Sequence, residues 1–468
     1  MPAVSRSYSL DNAAKAWPTV ISRRQTSRFR LFAVLHQPLV WPLLERSVAI
    51  TEKRFPWFKV RLRSGFFWYH LQTISDPLPI LPDRTPPCLF PDFNDSQHKP
   101  KNQPLLSVHV FQRSLGVEAS HVLTDGSGLS EFFRTLVGVY CGLVDSRARW
   151  VLTQSPEDIH GILPQTTWNS LLDTWEQELD SLDWKTLRHP HESAGSDEWV
   201  DEFVASHLTG LPSPPVPSKA LHLPVRLLPQ GDYRVSHALI PVSQLKDKTA
   251  KYGVRLGEYL SAAVLMAFQL CVEDVPLRKR KGLMKRPLRL LVPIDLRRMH
   301  GSRTLRNFLV GMSVEIDLRL GHYRFDEILT RVHHVQRTEL AQKYLGKQVA
   351  RNVKGEALLI LRLMPLILKN PVLRWIFLNL GDKRHTASFS NLGLLDFPSW
   401  GEKHIDWIGL VPPPGVISPL NVTAVSTAQT LCLTVGKTTG YSRFEYYLFR
   451  IFADQGITPR VWTNFTGG

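Results

Sequence analysis

The stretch SHVLTDGSGLSEFFRTL, residues 120–136, decides the fold. Immediately before it, residues 114–122 (SLGVEASHV) read as a strand paired with residues 105–113 (LLSVHVFQR). After it, Leu129, Phe132, Phe133, Leu136, Val137 and Tyr140 recur at helical spacing on one face. His121 therefore closes a strand, and Asp125-Gly126 opens a helix, with Gly126 read as the residue that permits close backbone approach. A histidine at such a junction suits general-base work, because its pKa lies near neutrality. An aspartate four residues on, turned away from the reacting groups, can brace the loop by pairing with a distant arginine. Read from these residues alone, a buried histidine before a turn-stabilising Asp-Gly fits equally well. The spacing is not specific by itself, since His322 and Asp326 repeat it. There, however, it precedes a charged helix whose Asp326 and Glu327 suit first-turn positions, so His322 reads as a solvated surface residue.

Working outward, residues 50–72 contain two β-rich runs around Arg63-Ser64-Gly65, the pattern of a hairpin. The Pro-rich segment 210–224, GLPSPPVPSKALHLP, suits an extended linker and marks a domain boundary. The expected organisation is a poorly ordered segment 1–30, an N-terminal domain 31–209 carrying His121, the linker 210–224 and a C-terminal domain 225–468. In the second half come strand 233–242, helix 254–272, a basic loop RKRKGLMKR at 278–286 and strand 287–296. Strand 429–436, helix 442–456 and a short final strand close the chain. Both halves are mixed α/β.

Composition bounds the function classes. The 468 residues suffice for two or more domains, and 43% hydrophobic with 21% charged residues is ordinary for globular proteins. The net charge of +16 suits anionic partners, but no zinc-finger or RNA-recognition motif accompanies it, so no nucleic-acid partner is expected. Cys88, Cys141, Cys271 and Cys432 form no CxxC pair and no metal-spaced set with histidine. Reduced, mostly buried thiols in a cytoplasmic protein are expected, with no metal. Arg23 and Arg24 precede an apolar run, Leu31 to Leu35, shorter than the ~7–15 residues of an export signal. Residues 357–380, ALLILRLMPLILKNPVLRWIFLNL, are interrupted by Pro365, Pro371 and three basic residues, so they do not read as a span. Buried helices are the first reading of this stretch, and a basic surface hairpin lying on a membrane or lipid substrate is the alternative. VGKTTG at 435–440 lacks the upstream glycine of a phosphate loop, since position 431 is leucine.

The block 120–136 resembles the HxxxDG region of the chloramphenicol-acetyltransferase-like superfamily, which includes condensation domains and alcohol acetyltransferases. Residues 54–72 (RFPWFKVRLRSGFFWYHLQ) resemble the N-terminal strand region of bacterial alcohol-acetyltransferase-like proteins. Residues 286–308 (RPLRLLVPIDLRRMHGSRTLRNF) resemble their central segment, and residues 388–398 (SFSNLGLLDFP) their SNLG strand. The resemblance implies an α/β fold of two similar mixed-sheet domains with an active-site channel between them. It implies an acyltransferase with acyl-CoA as co-substrate, no permanently bound cofactor, and an alcohol or amine acceptor that can be lipid-like. His121 would be the base, and Arg297 would pair with Asp125, with Arg298 as fallback. Ser390 would donate to the oxyanion, with Ser388 as alternative, and Asn391 would cap the turn before Gly393. Condensation domains carry two consecutive histidines here, whereas this chain has Ser120 first. That favours a stand-alone ester- or amide-forming enzyme, expected as a monomer, over one fed by a carrier protein. The basic 278–286 run reads first as a solvated loop, with attraction of coenzyme A phosphates or an acidic carrier protein as the alternative, and a peripheral membrane contact completes the expectations.

Overall fold

Each half of the chain is organised around a sheet, seen in a computed structural model that describes residues 6–83, 103–153, 165–205, 214–357 and 363–465. In the N-terminal sheet the strands run, edge to edge, Ile405–Val411, Arg28–Leu35, Ser114–Ser120, Leu106–Phe111 and Ile80–Pro82. All neighbours are antiparallel except the last pair. The sequence RFRLFAVL explains why Arg28–Leu35 is interior: a nearly unbroken apolar run suits a strand covered on both faces. The helix Gly126–Thr153 packs on this sheet, and Leu129, Phe132, Phe133, Leu136, Val137 and Tyr140 are all buried.

The C-terminal sheet has seven strands, in the order Leu309–Ile316, Leu288–Asp295, Ala387–Leu394, Leu420–Ser426, Thr430–Lys437, Arg234–Pro241 and Arg460–Thr463. Ala387–Leu394 runs parallel to both of its neighbours. The helix Leu256–Glu273 covers it. Among the described residues this is the one helix long and apolar enough to cross a membrane, and 72% of that stretch is buried inside the protein.

Four sequence-based expectations need correction. The segment 1–30 is not loose over its described part: Ser7–Ser9 pairs with Tyr69–Thr73, Ala14 is fully buried, and the buried Asp11 accepts from the Ala14 N–H at 2.7 Å. The second half is not self-contained, because Ile405–Val411 joins the N-terminal sheet beside Arg28–Leu35. A boundary drawn from proline content cannot register a strand that returns across it. In the hairpin, the first strand begins only at Val60, after the helix Trp41–Arg54, and the turn is closed by Gly65 N–H donating to Trp68 O at 2.9 Å. The basic run 278–286 is mostly a short helix, Leu277–Leu283, with its side chains in solvent or partly so. The described part of 214–224 has no regular structure and is tied to the C-terminal half by Ala220 N–H to Lys383 O and Leu221 N–H to Pro287 O.

Candidate active site

His121 follows the last residue of the strand Ser114–Ser120, at the seam between the two halves. Its backbone is fixed from both sides. The His121 N–H donates to Ser27 O at 2.9 Å, and Asn307 Nδ2 donates to His121 O at 3.1 Å. Asn307 is itself held by the buried carboxylate of Asp11 at 3.0 Å. The imidazole lies between two aromatic rings, Trp17 at 5.0 Å and 15° from parallel, and Phe29 at 4.3 Å and 22°. This enclosure removes water from the ring and disfavours its charged form. Burial pushes the His121 pKa from 6.5 down to about 4, against a hydrogen bond with the Thr124 main chain that favours protonation. At neutral pH the ring is an unprotonated base.

The loop after His121 is stitched to residues 304–308 of the other half. Thr124 Oγ1 donates to Leu305 O at 2.6 Å. Asp125, 1% exposed, accepts from Gly128 N–H at 2.9 Å and Phe308 N–H at 2.9 Å. Arg297 Nη2 donates to both of its oxygens, at 2.9 and 3.1 Å. The same guanidinium donates to Thr304 O, Arg306 O and Asp295 Oδ1 at 2.7, 2.6 and 2.9 Å. Arg298 is exposed. Close backbone approach falls at Gly128, not Gly126: a Cβ on Gly128 would lie 2.2 Å from Leu305 O and from Thr124 Oγ1. At Gly126 the nearest atom would be Leu392 Cδ1, at 3.3 Å.

Ser388, Ser390 and Leu392 alternate along Ala387–Leu394 and so share a face. Ser388 lines a cavity of about 140 Å³ with Trp17, Ser27, His385, Pro414 and Asn421. Leu392 reaches Gly126 at the start of the helix, and Ser390 lies between the two. The Ser388 hydroxyl is occupied, donating to Asn421 Oδ1 at 2.8 Å. The part-buried Ser390 hydroxyl has no hydrogen-bond partner among the described residues. Asn391 Oδ1 accepts from Gly393 N–H at 3.0 Å, where φ of +80° calls for glycine. His322 is far less enclosed, with Nδ1 2.7 Å from Glu273 Oε1 and half its side chain exposed.

Two further cavities share lining residues with the one that Ser388 lines or with each other. Pro414 also lines a pocket of about 20 Å³ with Arg23 and Arg24. Arg24 in turn lines an outer cavity of about 860 Å³ with Arg226, Val275 and Tyr441. Cys141, Cys271 and Cys432 are buried, and burial raises the Cys271 thiol to about 12 and Cys141 further still. Cys88 lies outside the described residues.

Sequence reasoning missed Trp17, Phe29, Asn307, Asp11 and Gly128. Asn307 and Gly128 stood inside quoted blocks without a recognised role. Phe29 could have been found from pairing, because its strand lies against Ser114–Ser120. Trp17 carried no signal, sitting in a segment without periodicity.

No family profile and no curated protein matches the sequence. Solved structures do match along nearly the whole chain. F. sporotrichioides TRI101 in complex with coenzyme A and T-2 is 10% identical, covering 98% of this chain and 100% of that one, with a TM-score of 0.60. A starter condensation domain of rhizomide synthetase, in complex with C8-CoA and Leu-SNAC, is 12% identical over 96% and 93%, with a TM-score of 0.52. The wax ester synthase/diacylglycerol acyltransferase of Marinobacter aquaeolei VT8 is 15% identical over 96% and 100%, with a TM-score of 0.50. The chain has the chloramphenicol-acetyltransferase-like, condensation-domain fold.

Proposed function

We propose that the protein transfers an acyl group from a coenzyme A thioester to an alcohol or amine, with His121 as general base. The observation that carries this reading is an imidazole clamped between Trp17 and Phe29 beside a cavity at the domain seam. Support comes from the fold, which it shares with proteins crystallised with coenzyme A or an acyl-CoA. The acceptor's O–H or N–H gives its proton to His121 as its heteroatom attacks the thioester carbonyl. The C–S bond then breaks, and the departing thiolate takes the proton back from His121. The Ser390 hydroxyl, free of other partners among the described residues, is suited to donate to the tetrahedral oxyanion. The cavities lined by Arg23, Arg24 and Arg226 suit the phosphates of such a donor. The reading is tested by screening acyl-CoAs against pooled alcohols and amines and following free-thiol release. Absence of release with every pair overturns it.

Direct transfer leaves no acyl group on the protein. Incubation with radiolabelled acyl-CoA and no acceptor should therefore give no stoichiometric label after denaturation. Label that acceptor chases off would establish a covalent intermediate instead.

The pH profile gives a second check. A base with its pKa near 4 is available throughout the neutral range, so activity is kept down to mildly acid pH and falls as His121 protonates. The acid limb of kcat/KM should lie well below 6.5. Trp17→Ala opens the ring to water and should move the limb up towards 6.5. Asp382, on the same cavity wall and pushed up by burial to about 6, supplies the control. Asp382→Asn should leave the limb where it is. A wild-type limb at 6.5 that ignores Trp17→Ala would refute the enclosure argument.

A further inference from the structure

We propose that the helix Leu366–Ile376 and the tip of the hairpin Val60–Thr73 form a docking surface for an anionic lipid bilayer. The polarity of this helix is inverted relative to an ordinary surface helix. Lys369 points inward with no exposure, while Ile367 is 81%, Leu368 61% and Trp375 61% exposed. At about 100° per residue, Ile367, Leu368, Pro371, Val372 and Trp375 fall on one side, and Leu366, Lys369, Asn370 and Leu373 on the other. The inward side is bonded to the hairpin. Leu366 N–H donates to Phe66 O at 2.8 Å, and Lys369 Nζ donates to Phe67 O at 2.7 Å. The Lys369 ammonium also lies 3.4 Å from the centre of the Trp68 ring, and Asn370 Nδ2 donates to Tyr69 OH at 3.0 Å. Helix and hairpin tip are thus one platform. Phe66, 70% exposed, and Phe67, 42% exposed, extend the apolar surface beyond the helix.

Two features select a bilayer as the occupant. The first is charge. Arg374 is exposed beside the apolar face, the Lys15 ammonium lies 5.5 Å from the centre of the Trp68 ring, and the helix itself carries no acidic residue. A second copy of this chain would bring these cations together with no acidic partner on the helix, which like-charge repulsion opposes, whereas anionic headgroups neutralise them. The second is residue type and length. Trp and Phe favour the boundary between headgroups and acyl chains. An 11-residue helix is about 16 Å long, too short to span but suited to lying in the interface plane. The sequence reading of 357–380 as buried helices fails for the outer side of this helix, where Ile367, Leu368, Val372 and Trp375 are exposed, and holds for Leu366, which is buried. Directly after the helix, Phe377 packs on Trp17 at 5.2 Å, and Trp17 covers His121. A membrane under the platform would therefore lie close to the candidate site.

The test is co-sedimentation of the full chain with phosphatidylcholine vesicles, with and without phosphatidylglycerol. Binding is expected with phosphatidylglycerol and should weaken as salt is raised. The double variant Ile367→Glu/Trp375→Glu should lose ~10-fold or more in partitioning, with an unchanged far-UV spectrum and melting transition. Vesicle binding does not depend on acyl transfer, so this result and the free-thiol assay fail separately. Equal binding to pure phosphatidylcholine, undiminished binding by the variant, or a dimer in sedimentation velocity that the variant splits would each overturn the proposal.

Discussion

His121→Ala should lower kcat/KM for acyl transfer by about 10²–10⁴-fold, the usual contribution of a positioned general base. The loss should appear in kcat, because the ring acts on a proton in flight and not on donor binding. Removing the imidazole also leaves a gap between Trp17 and Phe29, and lost ring contacts of this kind are worth about 0.5–1.5 kcal/mol per pair. His121→Gln fills more of that space and separates the two effects: it should restore most of the stability and none of the rate. The matched control is His322→Ala. That histidine has the same HxxxD spacing but sits half exposed against Glu273, so its removal should leave both rate and stability within experimental scatter. Wild-type turnover in either His121 variant would remove the imidazole from the mechanism.

The two histidines also show what the sequence could and could not carry. The spacing was identical, and only the flanking pattern separated them: a strand before and an amphipathic helix after His121, a charged helix after His322. Local periodicity reports which residues share an element, so the strand pair 105–122 and the helix after Gly126 were legible. It does not report what packs over an element from far away in sequence. Trp17 reaches His121 across about a hundred residues of chain, and Asn307 across 186. Likewise nothing local in the sequence says that Ile405–Val411 completes the N-terminal sheet. The apolar stretch 357–380 was ambiguous because hydrophobicity has two explanations, burial in protein or burial in lipid. Only the direction of Ile367 and Lys369 on a folded helix separates them.

The largest expected effect on stability lies at Asp125 and Arg297. Asp125 is buried and acceptor-only, and each of its oxygens is bonded by one backbone N–H and by Arg297 Nη2. Burial disfavours the Arg297 charge, but Asp125 and Asp295 more than offset it, so its pKa is raised. Arg297→Ala leaves a buried carboxylate without its counter-charge and frees the carbonyls of Thr304 and Arg306. Breaking one side of such a pair costs about 3–5 kcal/mol. Asp125→Asn should cost a similar amount, because it leaves the guanidinium unpaired and presents an amide N–H where an oxygen had accepted one. The double variant Asp125→Asn/Arg297→Met removes both charges and should be more stable than the sum of the single losses predicts, which is the sign of direct coupling. Activity should not recover with it. The pair ties the His121 loop to residues 304–308, and a neutral side chain supplies none of the directed bonds that set the loop's position. Arg297→Lys keeps a charge but offers one ammonium in place of a planar fork that reaches five oxygen acceptors on four residues, so it should rescue stability only in part. Denaturant melts and kcat measured on the four variants decide the matter. If Arg297→Ala unfolds within about 1 kcal/mol of wild type, the pair is not a brace, and the loop is held by the Thr124–Leu305 and Asn307–His121 bonds instead.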